Sequence, residues 1–204
     1  MDKGILSSLD SNKVELWEKL QKFDLSWGKE HEHYYTDEMR PNGIKFAKII
    51  REQLYGKCLD VGCGILPLPY YMKDQPNIEF AGIDPDDEGV EREFEFKQAL
   101  GEELPFKDKT FDGVIFTLSL DHTVDPELCL TEAHRVLVNN GKLFIWFAIC
   151  IPYIGDGQPD RWHLWRFDVG YLEKITGKIG FKTKDVPFLE QGDCVLICEK
   201  QEVP

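Results

Sequence analysis

Apolar residues at Leu16, Trp17, Leu20 and Phe23 share one helix face, and Asn12 with Glu15 opens that helix in the manner of a capping box. A polar, aromatic stretch follows, SWGKEHEHYYTDEMRPNG. A second amphipathic helix then turns Ala47, Ile50 and Leu54 toward a core. From residue 57 short apolar runs alternate with helical ones. KCLDV predicts a strand ending in a glycine turn, and IEFAGID, FEFKQ and DGVIFTL predict three more. Asp125-Pro126 supplies the cap and first-turn proline of a helix that runs through Leu130, Ala133 and Leu137 until Asn139-Asn140-Gly141. KLFIWFAIC predicts a long central strand, followed by a loop from Ile151 to Phe167. Residues 168–179 predict a helix, and KTKDV and DCVLICEK two closing strands.

Strands that alternate with helices, some of them apolar throughout, belong to a parallel sheet covered on both faces. The expected class is α/β, doubly wound. The last two strands have only a short connection, which predicts an antiparallel pair at one edge.

Composition narrows the function. A chain of 204 residues holds one domain with a full core. Its 37 Asp and Glu against 24 Lys and Arg leave a net charge of −13, which argues against wrapping a nucleic-acid backbone. No apolar run approaches the ~20 residues that span a bilayer. The start, MDKGILSSLDSNK, lacks the apolar core of a signal peptide. The expectation is a cytoplasmic protein with neither nucleic acid nor membrane as partner. Cys58, Cys63, Cys129, Cys150, Cys194 and Cys198 form no CxxC pair, and most lie in apolar runs. They predict neither a disulfide framework nor a zinc site. His31 and His33 read as a solvated pair, and no metal is expected.

The most informative segment is Cys58-Leu59-Asp60-Val61-Gly62-Cys63-Gly64, a strand running into a Gly-x-Gly turn. Missing side chains there let a ligand approach the backbone at the carboxyl end of a strand. The next strand ends at Asp84, 20 residues beyond Gly64, where a carboxylate can accept two hydrogen bonds from a ribose diol. Pro67 stands where a dinucleotide fingerprint has its third glycine. Asp60, two residues before the first glycine, suits a cationic amino group better than a pyrophosphate. An ammonium at one end and a ribose diol at the other describe S-adenosylmethionine.

Here the chain resembles the class I S-adenosylmethionine-dependent methyltransferases, in the subgroup that includes small-molecule enzymes. CLDVGCG matches that family's first motif and GIDP its second. The block from Gly101 to Ile145 carries the rest in order: Leu-Pro-Phe, Phe-Asp, His-x-x-Asp, Arg-Val-Leu and the glycine before strand five. The resemblance implies a Rossmann-like, mostly parallel seven-stranded sheet with an antiparallel last strand. It implies a methyltransferase domain over 44–204, with 1–43 as an amino-terminal helical or lid segment.

The resemblance further implies that Asp60 and the turn Gly62, Cys63 and Gly64 hold the methionine end of the cofactor. Asp84 would take the ribose hydroxyls with Pro85 against the adenine. Gly101 and Glu102 would meet the adenine edge, and Thr117 and Leu118 the methionine portion. Three departures stand out. Leu100 replaces a frequent Asp, only a short helix fits between Asp84 and Phe94, and the two prolines of ILPLPYYM shorten the helix after Gly64.

Methyl transfer mainly requires alignment, and a hydroxyl acceptor adds the need for a base. His122, beside Asp121, and His163, in DRWHLWRFD, are the candidates, with His122 preferred and Asp121 or Asp160 to orient either ring. Trp162, Trp165 and Phe167 among Asp160, Arg161 and Arg166 read as an acceptor wall or as an aromatic anchor for the last helix. Trp27, Tyr34 and Tyr35 read as part of a lid, with a sheet edge or a homodimer interface as alternatives. The expected activity is methyl transfer to a small molecule, at oxygen of a sugar or secondary metabolite. Transfer to nitrogen or carbon, or a non-catalytic cofactor-binding subunit, are the alternatives.

Overall fold

A computed structural model describes residues 4–30, 41–148 and 163–202. His31, His33, Tyr34, Tyr35, Cys150, Asp160, Arg161 and Trp162 lie outside the described residues, as does the side chain of Trp27. In chain order the elements are α1 (Ser11–Glu30), α2 (Pro41–Gln53), β1 (Gly56–Val61), β2 (Ile78–Asp84), β3 (Glu95–Gln98) and β4 (Phe111–Thr117). Then follow α3 (Pro126–Val136), β5 (Leu137–Ala148), α4 (Val169–Ile179), β6 (Phe181–Asp185) and β7 (Asp193–Lys200).

The seven strands form one sheet in the order β3-β2-β1-β4-β5-β7-β6. Strands β1 to β5 pair in parallel, and β7 runs antiparallel between β5 and β6. The closing pair is therefore antiparallel at an edge, as the short connection requires, with β7 inserted and β6 outermost.

Alternation along the strands feeds two cores. Leu59, Val114, Leu143, Ile145 and Leu196 face one side, where α3 and α4 add Leu130, Ala133, Leu172 and Ile175. Cys58, Ile115, Phe144, Trp146 and Val195 face the other, where α2 adds Phe46 and Ile50. Burial on both faces explains why these strands read as continuous apolar runs. Cys58 and Asp60, two positions apart on β1, both point to the α2 side, a direction that matters below.

Asp125 Oδ1 caps α3 by accepting from the amide of Leu128 at 3.0 Å, with Pro126 in the first turn. Asp168 caps α4 in the same way through Tyr171 N at 2.7 Å. The start of α1 differs from expectation. Asp10 Oδ1, rather than Asn12, accepts from the amides of Asn12 and Lys13, so the helix begins at Ser11. The end of α3 differs too. The helix stops at Val136 and Leu137 already belongs to β5, so Asn139-Asn140-Gly141 form an irregularity inside that strand. Lys200 Nζ donates to the carbonyls of His134 and Leu137, satisfying groups that the helix end leaves open.

No helix forms over residues 85–94, where a short one is expected, and the segment after Gly64 holds only a single turn at Tyr70–Met72. Arg92 secures the first of these stretches. Its guanidinium stacks on Phe96 at 3.5 Å and donates to the carbonyl of Gly64 at 2.9 Å. Helix α2 starts at Pro41, ahead of the boundary drawn at residue 44, and packs on the sheet. Among the described residues no helix is long and apolar enough to cross a membrane.

Candidate active site

At the carboxyl ends of β1, β2, β4 and β5 the chain encloses a cavity of about 770 Å³. Its floor is laced by the glycine turn. Gly62 sits at φ +82°, and a Cβ there would lie 2.5 Å from the Cβ of Ser119, so only glycine fits. Ser119 Oγ donates to the carbonyl of Val61 at 2.6 Å and ties the end of β4 to β1. Gly64, at φ +72°, has nothing within 4 Å of a Cβ position, and lines the cavity. Leu118, also on the lining, holds φ +52°, a conformation unusual for a non-glycine residue, and its amide donates to Trp146 O at 3.0 Å.

Asp84 lies on the wall. Its Oδ2 accepts from the amide of Gly64 at 2.8 Å and its Oδ1 from the amide of Asp86 at 3.0 Å. Each carboxylate oxygen keeps a further lone pair for a ligand. Burial pushes its pKa up to about 6, against the pull of the two amides. Pro85, Gly101, Glu102 and Thr117 also line the cavity. Glu102 Oε1 is already engaged, accepting from the amides of Val124 at 2.7 Å and Asp125 at 3.0 Å. Gly101 is small for packing, since a Cβ would come within 3.1 Å of Cys129 Sγ and Val61 Cγ1.

Two cofactor candidates, Asp60 and Cys63, are buried beside the turn. Asp60 is fully buried and absent from the cavity lining, because alternation turns it to the α2 face. There the Tyr71 hydroxyl donates to its Oδ2 at 2.6 Å, while Oδ1 is buried without a partner. Burial raises its pKa to about 7. Cys63 contributes to the lining, but its thiol packs toward Gly82 and is buried, which raises its pKa far above the usual range.

The two histidine candidates, 41 positions apart in the chain, meet at one carboxylate. A single turn at Leu120–His122 follows β4. The amides of Leu164 and Trp165 both donate to the carbonyl of Asp121, at 3.0 and 3.1 Å, and the Trp165 indole donates to Thr123 O at 2.8 Å. These bonds bring the His122 and His163 rings to 5.0 Å, edge to face. Asp121 Oδ1 lies 3.9 Å from His122 Nε2, and Oδ2 lies 3.9 Å from His163 Nε2. All three residues line the cavity. In the described part of the expected acceptor wall, His163 alone does so. Phe167 is buried against α4 and Trp165 packs over the turn and under Lys13, so both are anchors.

Sequence reasoning missed several wall residues. Trp146 Nε1 and Asn42 Nδ2 both donate to Asp193 Oδ2, at 2.9 and 2.8 Å. These three share the cavity wall only because β7 pairs antiparallel with β5, setting Asp193 opposite Ala148. Trp17 and Gln21 bring α1 to the cavity. Leu100, the departure from the family's frequent Asp, is buried with Trp17, Leu6, Val124 and Leu164, so an apolar cluster occupies the place of a polar contact.

The motif block beyond the cavity is structural. Arg135 donates to the carbonyls of Leu104 and Phe106 and pairs with Asp108 and Glu132, clamping the Leu-Pro-Phe loop. Asp112 Oδ2 accepts from the amide of Lys57 and sets β1 beside β4.

A family model described as a methyltransferase domain matches residues 59–145, from β1 to β5 and across the whole cavity floor. Over that stretch the chain is similar to the class I S-adenosylmethionine-dependent methyltransferases. It is similar to 27-O-demethylrifamycin SV methyltransferase of Amycolatopsis mediterranei, 26% identical over 151 residues, 63% of this chain and 55% of that one. It is 31% identical over 139 residues to the ubiquinone/menaquinone biosynthesis C-methyltransferase UbiE of Citrifermentans bemidjiense, covering 61% of this chain and 56% of the relative. The chain thus spans about half the length of these curated relatives. The solved 1,6-didemethyltoxoflavin-N1-methyltransferase of Burkholderia thailandensis shares the fold at a TM-score of 0.73 and 17% identity, covering 92% of this chain and 90% of that one. The methyltransferase cofactor is S-adenosylmethionine, and the residues present suit it: an open glycine at position 64, carboxylate lone pairs at Asp84 and a buried Asp60 oxygen without a partner.

Proposed function

We propose that the chain transfers a methyl group from S-adenosylmethionine to a hydroxyl oxygen of a neutral small molecule, a sugar or secondary metabolite, in the cytoplasm. The observation that supports this is one continuous cavity lined by the glycine turn and Asp84 together with Asp121, His122 and His163. Bound there, the cofactor would supply a methyl carbon made electrophilic by its sulfonium.

In this reading Gly64 and Asp84 hold the nucleoside and methionine portions, with Pro85, Gly101, Thr117 and Leu118 around them. Asp60 acts from below the turn, where a bound cation favours its ionised form and is favoured by it in turn. The cavity walls align the acceptor with the methyl group, and alignment of this kind contributes on the order of 7–11 kcal/mol. His122, with His163 beside it, takes the hydroxyl proton, a contribution of about 10²–10⁴-fold. Helix α1 covers the cavity through Trp17 and Gln21, the part of the amino-terminal segment that serves as a lid. Among the described lining residues there is no Lys or Arg, which favours a neutral acceptor over an acidic one.

Calorimetry with S-adenosylmethionine and its demethylated product tests the cofactor half. One site per chain is expected. No heat with either, alongside binding of a nicotinamide dinucleotide, overturns the reading. Transfer of labelled methyl into a panel of neutral polyols and phenols tests the acceptor half, and label confined to amines overturns it.

A further inference from the structure

We infer that Asp121, His122 and His163 bind one divalent transition-metal ion of zinc's class at the cavity wall. The ion site stands on these three side chains alone. Its consequence for turnover rests on the proposed hydroxyl acceptor.

Geometry comes first. The imidazole Nε2 atoms lie 3.9 Å from different oxygens of one carboxylate. That is too long for an N–H···O bond, so Asp121 does not orient either Nε2 directly. Two donors about 2.0–2.2 Å from a tetrahedral ion stand roughly 3.3–3.6 Å apart, so each pair has to close by only about half an ångström to share one. The three donor atoms lie within 4.8 Å of one another. The backbone is set in advance, because Leu164 N and Trp165 N hold the His163 segment on the carbonyl of Asp121.

Charge points the same way. Asp84, Asp86, Asp121, Glu190 and Asp193 line the cavity without a Lys or Arg among the described lining residues. Two imidazoles in that field attract a cation, whereas an anion subsite would be repelled. Two nitrogens and one oxygen form a borderline donor set, which suits zinc, cobalt or nickel better than magnesium. The side chains of Asp121, His122 and His163 are 13, 26 and 29% exposed, so the cluster is shielded yet reachable. Three protein ligands leave a coordination position open, the arrangement that accepts water or a substrate oxygen. An acceptor hydroxyl taken up there loses its proton to solvent more readily, and the ligating imidazoles, their lone pairs on the ion, act as base only in the metal-free protein.

The test uses the full chain, stripped of metal by a chelator and then dialysed. Titration with ZnCl₂ is expected to show one ion per chain, bound roughly 100-fold more tightly than MgCl₂. CoCl₂ is expected to give a visible d–d spectrum without thiolate charge-transfer absorption. His122→Ala and His163→Ala should each weaken Zn²⁺ by about tenfold or more while melting like the parent without metal. His31→Ala/His33→Ala should leave uptake intact. No uptake, undiminished uptake in His122→Ala/His163→Ala, or a cobalt–thiolate band overturns the inference. S-adenosylmethionine binding, measured on the same samples, separates the two proposals: its loss defeats the methyltransferase reading and leaves the ion site standing.

Discussion

The Tyr71 hydroxyl donates to Asp60 Oδ2 at 2.6 Å beneath the glycine turn, and Asp60 Oδ1 has no partner. A carboxylate from the motif strand is thus buried, half satisfied and set away from the cavity surface. This pair links the backbone alternation of β1 to the electrostatics of the cofactor site.

That link has a pH signature. Burial lifts the Asp60 pKa from the unfolded value near 3.9 to about 7. A raised folded-state value favours the native state while the group is protonated. The contribution is full below about pH 4 and is lost as pH rises through 7. Its size is on the order of 4 kcal/mol, from three units at 1.36 kcal/mol each. Urea denaturation of the cofactor-free chain should show the parent losing stability over this range. Asp60→Asn should flatten the difference and equal or exceed the parent at pH 8. Parallel pH curves for the two proteins would contradict this account.

Asp84 anchors the turn and, on the proposed function, accepts the ribose hydroxyls, so its loss is expected to show twice. Asp84→Ala removes the ribose acceptor, and cofactor affinity should fall at least about tenfold. It also strands the amides of Gly64 and Asp86, which should cost the cofactor-free fold roughly 1–3 kcal/mol. Calorimetry measures the first effect and chemical denaturation the second. An unchanged affinity would leave Asp84 as a loop anchor alone.

The two glycines of the turn should respond differently. Gly62→Ala drives a methyl group into Ser119, while Gly64→Ala meets only backbone strain of about 1–2 kcal/mol. The first variant should lose more stability, and Ser119→Gly should restore part of it. Gly64→Ala should stay folded and bind cofactor poorly, since the added methyl group projects where the chain leaves open space. Equal melting temperatures for the two variants would argue against this difference.

The histidines are separable once an acceptor is known. With metal removed, His122→Ala should reduce turnover by about 10²-fold or more at saturating cofactor, and His163→Ala by less. Cofactor affinity should stay near that of the parent in both. Near-normal turnover in both variants would mean that alignment alone carries the reaction. The pH–rate profile gives a second reading, because the limb on the acid side should disappear in the variant that lacks the base.

Much of this fold is carried by short-range patterns. Apolar runs bounded by turns place the five inner strands, because a doubly covered sheet requires both faces of each to be apolar, while the edge strands β3 and β6 are short and largely polar. Gly62, Gly64 and Asp84 were legible because a strand-end turn and an acidic residue at the end of the next strand are local features. The ends of α1 and α3 were less so, since Asp10 outcompetes Asn12 as a cap and β5 captures Leu137 through pairing with Phe111.

Other features exist only in three dimensions. Whether His122 and His163 were rivals or neighbours depended on two amides, Leu164 N and Trp165 N, docking on Asp121 O. Asp193 joins Trp146 and Asn42 because β7 inserts between β5 and β6. Leu100 lines the cavity from an apolar cluster with Trp17, Leu6, Val124 and Leu164. Periodicity records which face of an element is buried and says nothing of what lies opposite. Strand order and loop docking decide that, through hydrogen bonds and contacts between residues far apart in the chain.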